Sequence, residues 1–356
     1  MRYGIALERW LDLSTGINPC GWPVPALPAA AWSRLPEDED GLDEAAHSYY
    51  GARALLPVAG SQAAIQALPH LRAPCRVAVI HPGYAEHAYA WRRAGHTVTP
   101  VTAGELDNAV SRSDVLVFIH PNNPTGARFS PQQLLDWHAQ LAARGGWLIV
   151  DEAFMDATPE RSLAPYCDRH GLIVLRSLGK FFGLAGARVG FVLAEPTRLE
   201  QLRAQLGPWT VATPARWVAV QALRDRTWQE TARQRLEADG ERLATLLRRH
   251  GLAPAGGCAL FQWICTPRAI AIHAYFARRG ILARLFDDAQ GRASVAGGTT
   301  AWMQEVEQRR ERLPRTPGAT EPPSLRFGLP GTEPDWMRLE AALADIDAHD
   351  LPGECA

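Results

Sequence analysis

Arg176-Ser-Leu-Gly-Lys-Phe-Phe-Gly-Leu-Ala-Gly-Ala-Arg188, running into Val189-Gly-Phe-Val-Leu193, is the stretch on which the reading of the whole chain turns. Lys180 stands among Gly, Phe, Leu and Ala, with scarcely a polar neighbour in sequence. Apolar surroundings disfavour an ammonium ion, because desolvation penalises the charged form. A neutral amine is a nucleophile that adds to carbonyl compounds. Ser177 precedes the lysine by three residues and Arg188 follows it by eight. A hydroxyl and a guanidinium bracketing an amine suit a small carbonyl compound that carries a phosphate. Alone, a lysine in a glycine-rich turn is more often a plain surface residue, so the rest of the chain has to supply its partners.

Composition sets the bounds. The chain has 356 residues, 47% hydrophobic and 21% charged, an ordinary globular balance with room for about two domains and a large core. Its formal net charge is −1, which offers no electrostatic handle for nucleic acid or an anionic membrane. Cys20, Cys75, Cys167, Cys258, Cys265 and Cys355 form no CxxC pair, so no metal site and no disulfide framework is expected. The sequence shows no signal-peptide pattern and no apolar run long enough to span a bilayer. The expected setting is a reducing cytoplasm.

Outward from the lysine, short β-branched runs alternate with helical stretches. The strands expected are Arg76-Ile80, Thr97-Val101, Val115-Ile119, Trp147-Val150, Ile173-Leu175 and Val189-Leu193. Helices are expected at Leu42-Tyr50, from Gly60-Ser61, at Ala85-Ala94 and at Pro131-Ala143. Such alternation argues for an α/β layer with a mostly parallel central sheet flanked by helices. In open α/β sheets ligands sit beyond the carboxyl ends of the strands. The polar motifs fall there: Pro82-Gly-Tyr84, His120-Pro-Asn-Asn-Pro-Thr-Gly126, Asp151-Glu-Ala-Phe154 and Lys180 each follow a strand. Gly60-Ser61 opens a helix, where free N–H groups can take a phosphate.

The remainder divides around this layer. Residues 1–40 read as an N-terminal arm with part of a small domain, 41–250 as the large domain, and 251–356 as a smaller C-terminal α/β domain. The small domain shows strands at Ala259-Ile264, Ile281-Phe286 and Pro323-Leu329, and helices near Ala269-Arg279 and Asp335-Asp347. Residues 287–323, rich in Gly, Thr, Pro, Glu and Arg, are expected to be a mobile insertion with one helical piece, Ala301-Leu313.

Taken together, these motifs resemble the fold-type I pyridoxal 5'-phosphate (PLP) enzymes of the aspartate aminotransferase superfamily, along nearly the whole chain. Within it, the nearest groups are the histidinol-phosphate aminotransferases and the threonine-phosphate decarboxylases. The resemblance implies PLP as cofactor, held through Lys180. It implies that Asp151 faces the pyridine nitrogen, Asn123 the phenolic oxygen and Tyr84 the ring face. Ser61, Gln62, Ser177 and Arg188 would cradle the phosphate. Arg326 matches an arginine that binds the substrate α-carboxylate. Arg284, in Gly280-Ile-Leu-Ala-Arg-Leu-Phe286, lies where the aminotransferases bind a substrate phosphate; a surface pair with Asp287 or Asp288 is the alternative. Gly16 and Asn18, in Ser14-Thr-Gly-Ile-Asn-Pro-Cys-Gly21, would close over the same ligand.

Two departures from the family pattern matter. Phe154 stands where relatives carry a tyrosine, and Leu35-Pro36 replaces a Tyr-Pro pair that reaches a neighbouring subunit. A homodimer remains implied. Gly179-Lys-Phe-Phe-Gly-Leu-Ala185, Asp151-Glu-Ala-Phe-Met-Asp156 and the arm motif look closer to the decarboxylases. That implies a lyase converting L-threonine O-3-phosphate to (R)-1-aminopropan-2-yl phosphate and carbon dioxide for cobalamin synthesis. The alternative is a histidinol-phosphate transaminase.

Overall fold

The computed structural model describes residues 3–287 and 323–348. In chain order its strands are β1 (Leu11–Asp12), β2 (Leu55–Val58), β3 (Arg76–Ile80), β4 (Thr97–Val101), β5 (Val115–Ile119), β6 (Trp147–Asp151) and β7 (Leu172–Ser177). They continue as β8 (Gly190–Leu193), β9 (Gly256–Cys258), β10 (Phe261–Cys265), β11 (Ile281–Leu282), β12 (Arg284–Phe286) and β13 (Ser324–Gly328). The chain forms two compact units, Cys20–Arg235 and Met1–Pro19 with Leu236–Ala356. The division runs through the helix Arg226–Arg249, where unbroken helical periodicity gives no sign of a boundary. The expected mobile insertion and its helix lie outside the described residues, apart from Asp287 and Pro323.

The larger unit is built on a seven-stranded sheet in the order β2-β8-β7-β6-β5-β3-β4. Neighbours from β4 to β7 pair in parallel, and β8 runs antiparallel to both β7 and β2. Every residue of β5 and β6 is buried. That is why these strands read as continuous apolar runs: a parallel sheet is covered on both faces. On one face Val77, Val79, Val115, Val117, Ile149 and Ile173 pack with Ile65, Leu68 and Trp91 from the helices. Ser130 caps the helix Pro131–Ala142 by accepting from the Gln133 N–H, with proline at its first position, the arrangement that satisfies a helix start.

Two details depart from the sequence reading. β2 was not expected, because Pro57 lies inside it. The strand occupies the sheet edge, where a proline's missing donor is tolerated. In the smaller unit, the expected strand Ile281-Phe286 is split at Ala283: β11 pairs with β1, and β12 joins the four-stranded antiparallel sheet β12-β13-β10-β9. One strand thus serves two sheets. The helices Ala269–Arg278 and Glu333–Ala348 complete this unit. Among the described residues, no helix is long and apolar enough to cross a membrane, and no cluster of three or more His, Cys, Asp or Glu could hold a metal.

Candidate active site

In the larger unit, the carboxyl ends of β3, β5, β6 and β7 present Tyr84, Asn123, Asp151 and Ser177 along one edge of the sheet. Because β8 is antiparallel, its start lies at the same edge: Ser177 pairs with Gly190 and Val58 pairs with Gly190. Arg188, just before β8, and Ser61, just after β2, therefore join the group. The sheet brings Ser61, Gln62, Tyr84, Asn123, Asp151, Ser177, Lys180 and Arg188 to one place.

The floor near Ser61 is glycine-shaped. A Cβ on Gly60, whose φ is +72°, would lie 2.6 Å from Arg188 Nη2, and one on Gly190 would lie 2.5 Å from the Ser61 nitrogen. Only glycine at these two positions lets the Arg188 guanidinium and the Ser61 backbone approach so closely, which gathers a cation and an N–H donor at the same edge of the sheet. Arg188 itself has φ 53°, a left-handed conformation that costs a non-glycine residue about 1 kcal/mol or more. Its Nη1 donates to the Ala185 carbonyl at 3.1 Å, which directs the guanidinium. Ser177 Oγ accepts from the Gly179 N–H at 3.2 Å and so shapes the turn into Lys180. The lysine amine, half-buried, stands 5.5 Å from the centre of the Phe154 ring.

Asp151 is 3% exposed. Its Oδ2 lies 2.9 Å from His87 Nε2, and its Oδ1 accepts from the Ala153 N–H at 3.1 Å. An ionised carboxylate only accepts, so His87 donates its Nε2 proton. Sequence reading did not single out His87; its one signal is its place in the first turn of the helix opened by the Pro82-Gly-Tyr84 motif. The Tyr84 ring stands edge-on to His87 at 6.2 Å, and its hydroxyl donates to Gln62 Oε1 at 3.2 Å. Gln62 in turn donates to the buried Glu86 at 2.8 Å. Asn123 is held by its neighbour: Asn122 Nδ2 donates to the Pro82 carbonyl at 2.9 Å and to Thr125 Oγ1 at 2.8 Å. That ties the Asn-Pro-Thr-Gly turn to the turn carrying Tyr84.

Beneath these residues Arg176, 1% exposed, bridges Glu152 at 2.7 Å and Asp156 at 2.5 Å. Burial pushes the Glu152 carboxyl up, against the Arg176 charge. Burial would lower the Arg176 pKa, yet the charges of Asp156 and Glu152 raise it.

His120 carries a pH dependence. It is fully buried, and its Nε2 accepts from the Phe129 N–H at 3.1 Å, while Nδ1 finds no partner. Burial, helped by the Arg128 charge, lowers its pKa to about 4. Between that value and the ordinary one of about 6.5, the unfolded chain binds a proton that the folded chain refuses. Stability should therefore fall as pH drops from about 6.5 to about 4, by roughly 3 kcal/mol from this residue. Urea unfolding across that window should show a shallower loss in His120→Asn. An unchanged slope in that variant would remove His120 as the source.

The smaller unit gathers the other expected ligands. Arg284 and Arg326 are direct partners across β12 and β13, so both side chains leave the same face of the sheet. Arg326 Nη2 donates to the Ser14 carbonyl, and its guanidinium lies 5.2 Å from the Phe261 ring centre. Burial, with the Arg284 charge beside it, lowers the Arg326 pKa to about 10. Gly16 is near: its nitrogen lies 3.5 Å from where a Cβ on Gly328 would stand, and the Gly328 N–H donates to the Leu13 carbonyl. Asn18 is buried in this unit.

Residues 37–309 match the family model for aminotransferase class I and II. Over 342 residues, 96% of this chain and 93% of its counterpart, the sequence is 54% identical to a threonine-phosphate decarboxylase of Pseudomonas aeruginosa. It is 42% identical to one from a Sinorhizobium species, over 80% of this chain and 86% of that one. The fold superposes on histidinol-phosphate aminotransferase from Sinorhizobium meliloti, solved in complex with pyridoxal-5'-phosphate, with a TM-score of 0.78 and 19% identity, covering 98% of this chain and 92% of that one. On its matched motifs, its sheet and these relatives, the chain belongs to the class I and II aminotransferase family.

Proposed function

We propose that this protein is a PLP-dependent lyase that decarboxylates L-threonine O-3-phosphate to (R)-1-aminopropan-2-yl phosphate and carbon dioxide. The observation that carries the reading is likeness to a threonine-phosphate decarboxylase along nearly the entire chain. The residues fit the cofactor. The Arg188 guanidinium and the Ser61 N–H, brought close by Gly60 and Gly190, are donors suited to its phosphate, with the Gln62 backbone and the Ser177 hydroxyl assigned beside them. Lys180 would hold its aldehyde carbon, Asn123 would donate to its phenolic oxygen, and the Tyr84 ring would lie against it. Bound PLP supplies an electron sink.

The protein's own part is positional and electrostatic. Asp151, fixed by His87, would hold a proton on the ring nitrogen and so keep the sink charged. As the bond from Cα to the carboxylate breaks and carbon dioxide leaves, the Lys180 ammonium would supply the proton that takes its place at Cα. The product is the one the resemblance assigns to cobalamin synthesis. A homodimer belongs to the same reading. Trp32, Leu35 and Trp209 are 71%, 63% and 60% exposed, large apolar side chains that a second subunit would cover.

Arg326 and Arg284 are assigned to the two anionic ends of the substrate, carboxylate and phosphate. Two guanidiniums at opposed positions repel each other, and an anionic ligand relieves both. A charge-assisted bond to phosphate contributes about 1.5–3 kcal/mol, so Arg284→Ala should raise KM for threonine phosphate roughly ten- to a hundredfold. Cofactor uptake should be unchanged. A variant with wild-type KM would place the phosphate elsewhere. The reaction type is tested by offering the purified holoenzyme histidinol phosphate with 2-oxoglutarate beside threonine phosphate. The proposal expects threonine phosphate to be consumed and no glutamate to appear; glutamate formation at a comparable rate would make the protein a transaminase.

A further inference from the structure

Arg176 is nearly fully buried, and the reaction gives it no direct part. Its Nη1 donates to Glu152 Oε2 at 2.7 Å and its Nη2 to Asp156 Oδ1 at 2.5 Å. Those carboxylates stand at either end of the turn that presents Phe154, so one guanidinium pins both ends of that turn. The same arginine immediately precedes Ser177 on β7, whose continuation carries Lys180. Each carboxylate is held again from outside. Glu152 accepts from Ser162 Oγ at 2.5 Å and from the Leu163 N–H at 2.7 Å. Asp156 accepts from the Tyr49 hydroxyl at 3.0 Å, and Arg233 Nε donates to its carbonyl at 2.9 Å.

The outer members of the cluster also reach the far side of the lysine. Tyr49 stands edge-on to Phe182 at 5.5 Å, and the Arg233 guanidinium lies 5.5 Å from the Phe181 ring centre. Trp228 stacks on Phe182 at 5.5 Å. Lys180 is thus framed before by Arg176-Ser177, after by Phe181-Phe182, and across by Phe154.

A buried ion cluster is a poor device for stability, because desolvating its charges offsets much of their attraction. What it does supply is direction, since a planar guanidinium fixes two carboxylates at set angles. We infer that Arg176, with Glu152, Asp156 and Tyr49, is a positioning cluster that sets where the Lys180 amine stands relative to Phe154 and Asp151. The inference rests on the proposed role of Lys180.

Two variants of the full chain test it, each loaded with PLP. Arg176→Lys keeps the charge and loses the two-armed grip; Tyr49→Phe removes one hydroxyl and keeps the ring. A small displacement of a reacting group can cost up to about a hundredfold in rate. Expected values of kcat are roughly tenfold lower for Tyr49→Phe and roughly a hundredfold lower for Arg176→Lys. KM should stay within about twofold, because only groups aligned for the transition state are disturbed. The pH midpoint of the bound cofactor's absorbance should move in both, which a loss of stability alone would not cause. Folded variants with wild-type kcat and wild-type midpoint overturn the inference, and if Arg176→Lys does not fold, Tyr49→Phe decides. A wild-type protein that forms no covalent bond to the cofactor overturns the reading of Lys180, and this inference with it.

Discussion

Lys180→Ala is expected to abolish turnover while leaving the fold intact. The side chain is half-buried at the edge of the sheet, with its amine 5.5 Å from the centre of the Phe154 ring. Truncating it disturbs no part of the buried sheet core, so the thermal midpoint should barely change. Function loses twice over. On the proposed reading the amine would be the covalent anchor for the cofactor aldehyde and the donor that replaces the departing carboxylate with a proton at Cα. A positioned proton donor alone contributes on the order of 10²–10⁴-fold, and loss of the covalent attachment adds to that. Activity should fall by at least about a thousandfold. The phosphate is assigned to Ser61 and Arg188 and not to the lysine, so PLP should still bind, now without a covalent link. Mass spectrometry after borohydride reduction distinguishes the cases: wild type should carry the cofactor on Lys180 and the variant should carry none. Normal turnover in the variant would remove Lys180 from the centre of the site.

Asp151→Asn should bind cofactor and turn over slowly. The substitution keeps shape, and its one amide oxygen can still accept from either His87 Nε2 or the Ala153 N–H. What it removes is the charge. A neutral amide cannot hold the ring nitrogen protonated, and a bond to a charged partner is worth about 1.5–3 kcal/mol. Rate should fall roughly ten- to a hundredfold on that scale, with KM little changed. His87→Gln should show a milder loss in the same direction, since it frees the carboxylate to rotate. Near-normal kcat in Asp151→Asn would take the carboxylate out of its assigned place.

Much of the larger unit could be read from its residues because a parallel sheet writes itself plainly. Val115-Ile119 and Trp147-Val150 are covered on both faces and so are apolar throughout. The polar motifs that follow them had to lie at one edge once the strands were parallel. β2 escaped because Pro57 argues against a strand, and only its edge position makes the proline harmless. His87 escaped because its partner Asp151 is 64 positions away in sequence, and nothing local marks a histidine that will meet a carboxylate across the sheet. Arg176, Glu152 and Asp156 stood in plain view inside the quoted motifs. Their bonding depends on adjacent parallel strands bringing β6 and β7 into register, Asp151 opposite Leu175. The facing of Arg284 and Arg326 is likewise a matter of register, set by how β12 meets β13 after the break at Ala283.

The central claim, that this chain removes the carboxylate of threonine phosphate and keeps its amine, is tested most directly with carboxyl-labelled L-threonine O-3-phosphate and the PLP-loaded protein, with no oxo acid present. The account predicts label released as carbon dioxide over many turnovers, matched one for one by 1-aminopropan-2-yl phosphate. Label retained in a keto acid, with the reaction halting after about one turnover per site until 2-oxoglutarate is added, would contradict it.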